Sequence, residues 1–252
     1  MTGRLPLWSY RWPRAFAAAL ADALLPCSCA LCGETTATVV CLPCRQDHAT
    51  PGGVRCPCCA NPLGAHEGAG QRCAGCIAEA PYFDATVAAA DYAAPLDSLV
   101  LRLKFGAQLP LAPWFAARMV DAVLAQPGWR LPDLLCPVPL GPRRLVERGF
   151  NQALEIARPL SAALGVPLQP RLLVRAIDTA AQSGVAPSER AGNIRGAFEV
   201  ADDALGRIQG RHVGVVDDVM TSGHTLNEIA ATLKRAGAAR VSNLVFARTP
   251  PH

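Results

Sequence analysis

Residues 212–247 constrain the fold of this chain more than any other stretch. Apolar residues 213–216 run into two adjacent aspartates and a short polar loop. A helical stretch follows, with Leu226, Ile229, Ala230 and Leu233 on one face, and then the apolar run 241–246. Two apolar runs joined by an amphipathic helix make a βαβ unit whose strands are parallel and buried on both faces. Ligands of such sheets bind outside the carboxyl ends of the strands, which puts Asp217, Asp218 and the loop after them at the candidate site.

The same alternation extends upstream. Runs 86–92, 133–138, 172–175, 212–217 and 240–247 read as strands, and 114–125, 151–164 and 225–237 as helices. Pro159 is expected to kink or split the middle helix, and Gly237, just past Lys234 and Arg235, to stop the last one. With 252 residues, 51% of them hydrophobic and 17% charged, the chain can bury a core in one large domain or two ordinary ones. A net charge of +4 neither supports nor excludes a nucleic-acid partner.

Ten of the eleven cysteines lie between positions 27 and 76, and only Cys136 lies outside. They form pairs with two-residue spacers: Cys29 and Cys32, Cys41 and Cys44, Cys56 and Cys59, Cys73 and Cys76. Each spacer lets a tight turn aim two thiolates at one ion, and two pairs complete a tetrahedral zinc site. Two structural zincs are expected, the first four cysteines on one and the last four on the other, with interleaved pairing as the alternative. Cys27 and Cys58 are spare thiols. Repeated pairs in an otherwise cysteine-poor chain point to a reducing, cytoplasmic setting. At the N-terminus, Arg11 and Arg14 ahead of an apolar run imitate a signal peptide, but Asp22 interrupts the run and it is too short to span a bilayer. Trp12, Phe16, Leu20 and Leu24 instead mark an amphipathic helix. The expected organisation is a leader helix within residues 1–26, a cysteine-rich module over 27–80 and an α/β domain over 84–252.

Two carboxylates at the end of a buried strand are costly unless something occupies them. Asp217 and Asp218 can each accept a hydrogen bond from one of two neighbouring ribose hydroxyls. Residues 219–225 (Val219, Met220, Thr221, Ser222, Gly223, His224 and Thr225) turn into a helix, so their amides and hydroxyls can surround a phosphate at its N-terminus. The competing reading is a capped strand-to-helix turn, with Thr221 or Ser222 as the cap. The loop lacks the Gly-Lys-Ser/Thr of a Walker loop and the glycine fingerprint of a dinucleotide fold.

The cysteine pairs, Leu103-Lys104-Phe105, PVPL at 137–140, RGFNQA at 148–153, Gln182 with SERAGNIRGAF at 188–198, and VVDDVMTSGHT resemble in order and spacing the ComF family of ComFC- and GntX-like proteins. That resemblance implies a double zinc ribbon followed by a type I phosphoribosyltransferase fold, a parallel sheet flanked by helices. The usual loop ends T-T-G-A-T, so Ser222 and His224 are departures. His224 is either a pH-sensitive neighbour of the phosphate or a solvent-facing loop residue. The resemblance further implies binding of phosphoribosyl pyrophosphate with magnesium. The diphosphate would lie near Arg143, Arg144, Arg148 and Gly149, and segment 182–195, with Gln182, Arg190, Asn193 and Arg195, would close over the site.

As an enzyme, such a chain would displace pyrophosphate from the anomeric carbon, with Asp217 and Asp218 positioning the ribose. No general base stands out, and the acceptor is not legible. Three functions are open: a phosphoribosyltransferase-like protein of DNA uptake or transformation, a nucleotide-salvage enzyme, and a non-catalytic sensor that binds nucleic acid. Single-stranded DNA and proteins of the uptake machinery are the candidate partners.

Overall fold

The computed structural model describes residues 27–48, 53–64, 68, 70–176 and 196–250. The expected leader helix with Trp12, Phe16, Leu20 and Leu24, and the segment holding Gln182, Arg190, Asn193 and Arg195, lie outside these residues. Contacts divide the chain into two compact units, Met1–Asp47 and His48–His252.

In the first unit, β1 (Cys27–Ser28) pairs antiparallel with β2 (Thr35–Thr36), and α1 (Leu42–His48) follows. The second unit opens with α2 (Ala74–Ala78) and continues through β3 (Ala85–Asp91), α3 (Leu96–Gly106), α4 (Leu111–Leu124), β4 (Leu134–Pro137), α5 (Pro142–Arg148) and α6 (Gln152–Leu164). It ends with β5 (Leu173–Arg175), β6 (Phe198–Val200), α7 (Leu205–Ile208), β7 (His212–Met220), α8 (His224–Arg235) and β8 (Arg240–Arg248). Four strands form one parallel sheet in the order β3-β8-β7-β4, while β5 and β6 make a separate antiparallel ribbon.

The sheet follows from its sequence. β8 is buried from its second residue to its last, and β3 from Ala85 through Ala90, as strands covered on both faces require. On one face, Phe115 of α4 stacks on Phe246 of β8 with ring centroids 3.8 Å apart. On the other, α8 buries Leu226, Ile229, Ala230 and Leu233 in a core that includes Val213, Val215 and Val245. Gly214 lets β7 run close to its neighbours, because a Cβ there would stand 2.7 Å from side-chain carbons of both Leu135 and Pro132.

The expected strands and helices are present with shifted ends. β7 runs three residues past the expected stop at Asp217, because β8 continues to pair with it as far as Met220 opposite Arg248. α6 runs unbroken through Pro159, so the proline does not split it. α3 is a helix beyond those expected from the sequence, and it buries Leu96, Leu99, Val100 and Leu103 at helical spacing. α5 is another, and it buries no residue that could have marked a face. Cys56, Cys58, Cys59 and Cys76 share one core with Phe83, Met220, Leu226 and Val245. The second cysteine group is therefore built into the α/β unit, whereas the sequence suggested a common module over 27–80.

Candidate functional site

All eleven cysteines are free. Cys29, Cys32, Cys41 and Cys44 form one group, and Cys56, Cys59, Cys73 and Cys76 a second, each with its sulfurs within 4.8 Å of one another. Zinc bonded to four sulfurs at about 2.3 Å places them about 3.8 Å apart. The sulfurs of Cys32 and Cys41 are 3.7 Å apart, and those of Cys59 and Cys73 are 3.5 Å apart. Amides support the thiolates as well: Leu31 and Cys41 donate to Cys29 Sγ at 3.4 Å, and Cys73 donates to Cys56 Sγ at 3.3 Å. Without a cation the crowded thiols cannot all ionise. The Cys44 thiol is pushed up to about 12, first by its bond with Cys41 and then by burial. Both groups thus fit a closed, structural zinc site, and the spare thiols Cys27 and Cys58 belong to neither.

The paired aspartates lie in the second half of β7, and the turn after Met220 feeds α8. Asp218 is buried, and Lys104 Nζ of α3 is 2.7 Å from its Oδ2. Asp217 is half-buried, and its Oδ1 accepts only from the Asp218 amide at 2.9 Å among the described residues. Its carboxyl is held well above the usual range, by burial first and then by the neighbouring Asp218 charge, against the pull of Lys104. Such a pair favours a ligand that brings hydroxyl donors or a cation.

Beyond Met220 the chain turns through Thr221 and Ser222, both exposed, to Gly223. Gly223 has φ +86°, a left-handed conformation that strains any residue with a Cβ and so favours glycine. It is the residue before α8, and no side chain caps the helix. No side chain among the described residues accepts from the first-turn amides, and the cap position falls to Gly223 and not to Thr221 or Ser222. His224 is exposed at the start of α8, and Thr225 is half-buried behind it.

Of the expected arginines among the described residues, Arg148 interacts with the charges of the aspartates. Burial lowers its pKa, and the charges of Asp218 and Asp217 oppose that. Its guanidinium lies 5.3 Å over the Phe105 ring and donates to Gln152. Arg144 and Arg148 line a cleft of about 580 Å³ with Lys104, Tyr92, Phe105 and Phe150. Arg143 is turned to solvent and pairs with Glu147 at 2.8 Å. Gly149, with φ +79°, closes α5. Asn151 of the RGFNQA motif serves the fold: its Oδ1 accepts from Ala153 and Leu154, and its Nδ2 donates to the Val138 carbonyl. Lys104 and Phe105 were visible in the sequence as a motif without a role, and only the fold brings them to Asp218 and Arg148. Arg248 gave no signal at all.

A parallel sheet, an acidic strand end, a glycine-turned helix start and a basic cleft together define a phosphoribosyltransferase-type domain, and residues 151–251 match the model of the phosphoribosyl transferase domain. The chain is 36% identical over 197 residues to DNA utilization protein YhgH of Salmonella typhimurium, covering 77% of this chain and 84% of that protein. It is 33% identical to competence protein F of Haemophilus influenzae over 71% of this chain and 79% of that protein. The chain belongs to the ComF family, to which these competence and DNA-utilization proteins belong. Among solved structures, the glutamine phosphoribosylpyrophosphate amidotransferase of B. subtilis superposes on 52% of this chain and 25% of its own, with TM-score 0.34 at 22% identity. The chain thus spans about a quarter of that enzyme, a likeness too slight to carry a conclusion. Among the described residues no helix is long and apolar enough to cross a membrane.

Proposed function

We propose that the end of β7 and the start of α8 bind phosphoribosyl pyrophosphate with magnesium, in a cytoplasmic protein that serves the handling of DNA during uptake or transformation. The observation that carries this reading is the adjacency of two carboxylates, Asp217 held well above the usual range by burial and by Asp218, and a helix start that no side chain caps. A ribose 5-phosphate offers what both lack. Asp217 and Asp218 accept from its hydroxyls, and the amides and hydroxyls of residues 219–225 take its phosphate. Lys104, Arg144 and Arg148 face the diphosphate across the basic cleft, with Arg143 and Gly149 at its margin. Arg190, from the segment expected to close over the ligand, is assigned to the same group. Magnesium supplies charge neutralisation of the leaving diphosphate. Asp217 and Asp218 are the protein groups available to hold it, and both zincs are structural.

Two of the relatives are named for DNA utilization and competence, and the assignment to DNA handling rests on those names. No residue is assigned as a general base, and the acceptor is left open. Thermal melting tests the binding reading: phosphoribosyl pyrophosphate with magnesium should raise the melting temperature. At a ligand concentration of about 100 Kd the gain is about 2.7 kcal/mol, and Asp217→Ala with Asp218→Ala should remove it. Equal stabilisation of the double variant would refute the site. Pyrophosphate release in the presence of candidate acceptors tests turnover, and gel shifts test single-stranded DNA.

A further inference from the structure

Arg248, the last residue of β8, is 6% exposed, yet among the described residues no carboxylate pairs with it. A guanidinium stays charged in a protein, so its burial must be offset by hydrogen bonds and nearby negative charge. The hydrogen bonds run to two places at once. Nε donates to the Cys59 carbonyl at 3.0 Å, inside the second cysteine group. Nη1 donates to the carbonyls of Met220 at 3.2 Å, Thr249 at 2.6 Å and Thr221. Met220 ends β7 and Thr221 begins the TSGHT loop.

The negative charge comes from the same cysteine group. Burial lowers the Arg248 pKa, and Cys59, Cys73 and Cys76 oppose it. Four thiolates around a divalent zinc carry a net charge of about minus two, for which Arg248 is the adjoining cation. A cleft of about 410 Å³ lies between the rest of the loop and the cysteines, lined by Cys73 and Cys76 on one side and Ser222, Gly223 and His224 on the other. Arg248 also lines this cleft and spans it with its hydrogen bonds.

We propose that Arg248 is a positioning residue that ties the TSGHT loop to the second four-cysteine site, so that metal occupancy of that site sets the order of the loop. The proposal concerns loop order. Its consequence for ligand affinity rests on the phosphate-binding reading above, and the two are measured separately.

The test is a double-variant cycle on the full chain, read by hydrogen exchange of the amides in residues 221–226. With Arg248 present, Cys73→Ser should speed that exchange by about tenfold, and in an Arg248→Gln background by less than about threefold. Arg248→Lys keeps the charge but loses the fork, and should behave like Arg248→Gln. Should Cys73→Ser not fold, chelation of zinc from the wild type and from Arg248→Gln replaces it, with the same expectation. Equal acceleration with and without Arg248, or none in either, overturns the proposal. Calorimetric titration of ribose 5-phosphate into the zinc-loaded wild type reads the other question. No binding there refutes the phosphate-binding reading, while the exchange result still decides the coupling. Where it binds, reciprocity requires ribose 5-phosphate to tighten the equilibrium binding of one zinc in the wild type and not in Arg248→Gln.

Discussion

Asp217→Asn should stabilise the empty protein at neutral pH while it removes a ribose contact. Of the two carboxylates, Asp218 has Lys104 at 2.7 Å, whereas among the described residues Asp217 accepts only the adjacent amide, and it is held well above the usual carboxylate range by burial and by Asp218. A buried polar group left without partners costs about 1 to 3 kcal/mol. Asp217 is half-buried, which sets the expected gain at about 1 kcal/mol, or a rise of roughly 2 to 4 °C in melting temperature for a unit of this size. Asparagine retains the oxygen that accepts the Asp218 amide. The pH dependence has a definite sign. A carboxyl whose folded pKa is raised binds its proton more readily when folded, so its contribution is fully present below the unfolded pKa and lost as pH rises through the folded one. The wild type should therefore match Asp217→Asn in acid and fall behind it towards neutral pH. Calorimetric melts of both proteins from about pH 3.5, below the unfolded aspartate pKa of about 3.9, to pH 8, with and without phosphoribosyl pyrophosphate and magnesium, check this. A lower melting temperature for the empty variant at pH 7.5, or a gap that does not widen with pH, would refute the electrostatic reasoning.

Further outcomes follow from the same geometry. Gly214→Ala drives a methyl to 2.7 Å from carbons of Leu135 and Pro132 and should cost about 1 to 3 kcal/mol, read as a lower urea midpoint at unchanged slope. Lys104→Met orphans the buried Asp218 carboxylate. Because Lys104 is itself partly exposed, the loss should be about 1 to 3 kcal/mol, and unchanged stability would mean that the ion pair is incidental. Elemental analysis should find about two zincs per chain, and Cys76→Ser about one; one zinc in the wild type would remove one of the two four-cysteine assignments.

What the sequence determined by itself was local. The βαβ unit was legible because alternation and amphipathic spacing are fixed by burial within a few residues, as in α8 and β8. The cysteine pairs were legible because a two-residue spacer commits each pair to one ion, whereas which pairs come together, Cys29 and Cys32 with Cys41 and Cys44, and Cys56 and Cys59 with Cys73 and Cys76, was decided by the structure. The acidic pair declared itself because adjacent carboxylates at the end of a buried strand are expensive without a ligand, and the glycine because a tight turn into a helix favours it. What only the tertiary structure decided was which distant residues answer those local features. Lys104 reaches Asp218 from a helix more than a hundred residues upstream, and Arg148 settles over Phe105, contacts that depend on how α3 and α5 are placed against the sheet. Arg248 is the extreme case. In sequence it is one more arginine near a strand end, and its meaning comes from the register that sets it opposite Met220 and beside Cys59. The second cysteine group is part of the phosphoribosyltransferase unit for the same reason. Spacing fixes which two thiolates share an ion, but long-range packing fixes which pairs meet and what their ion holds in place.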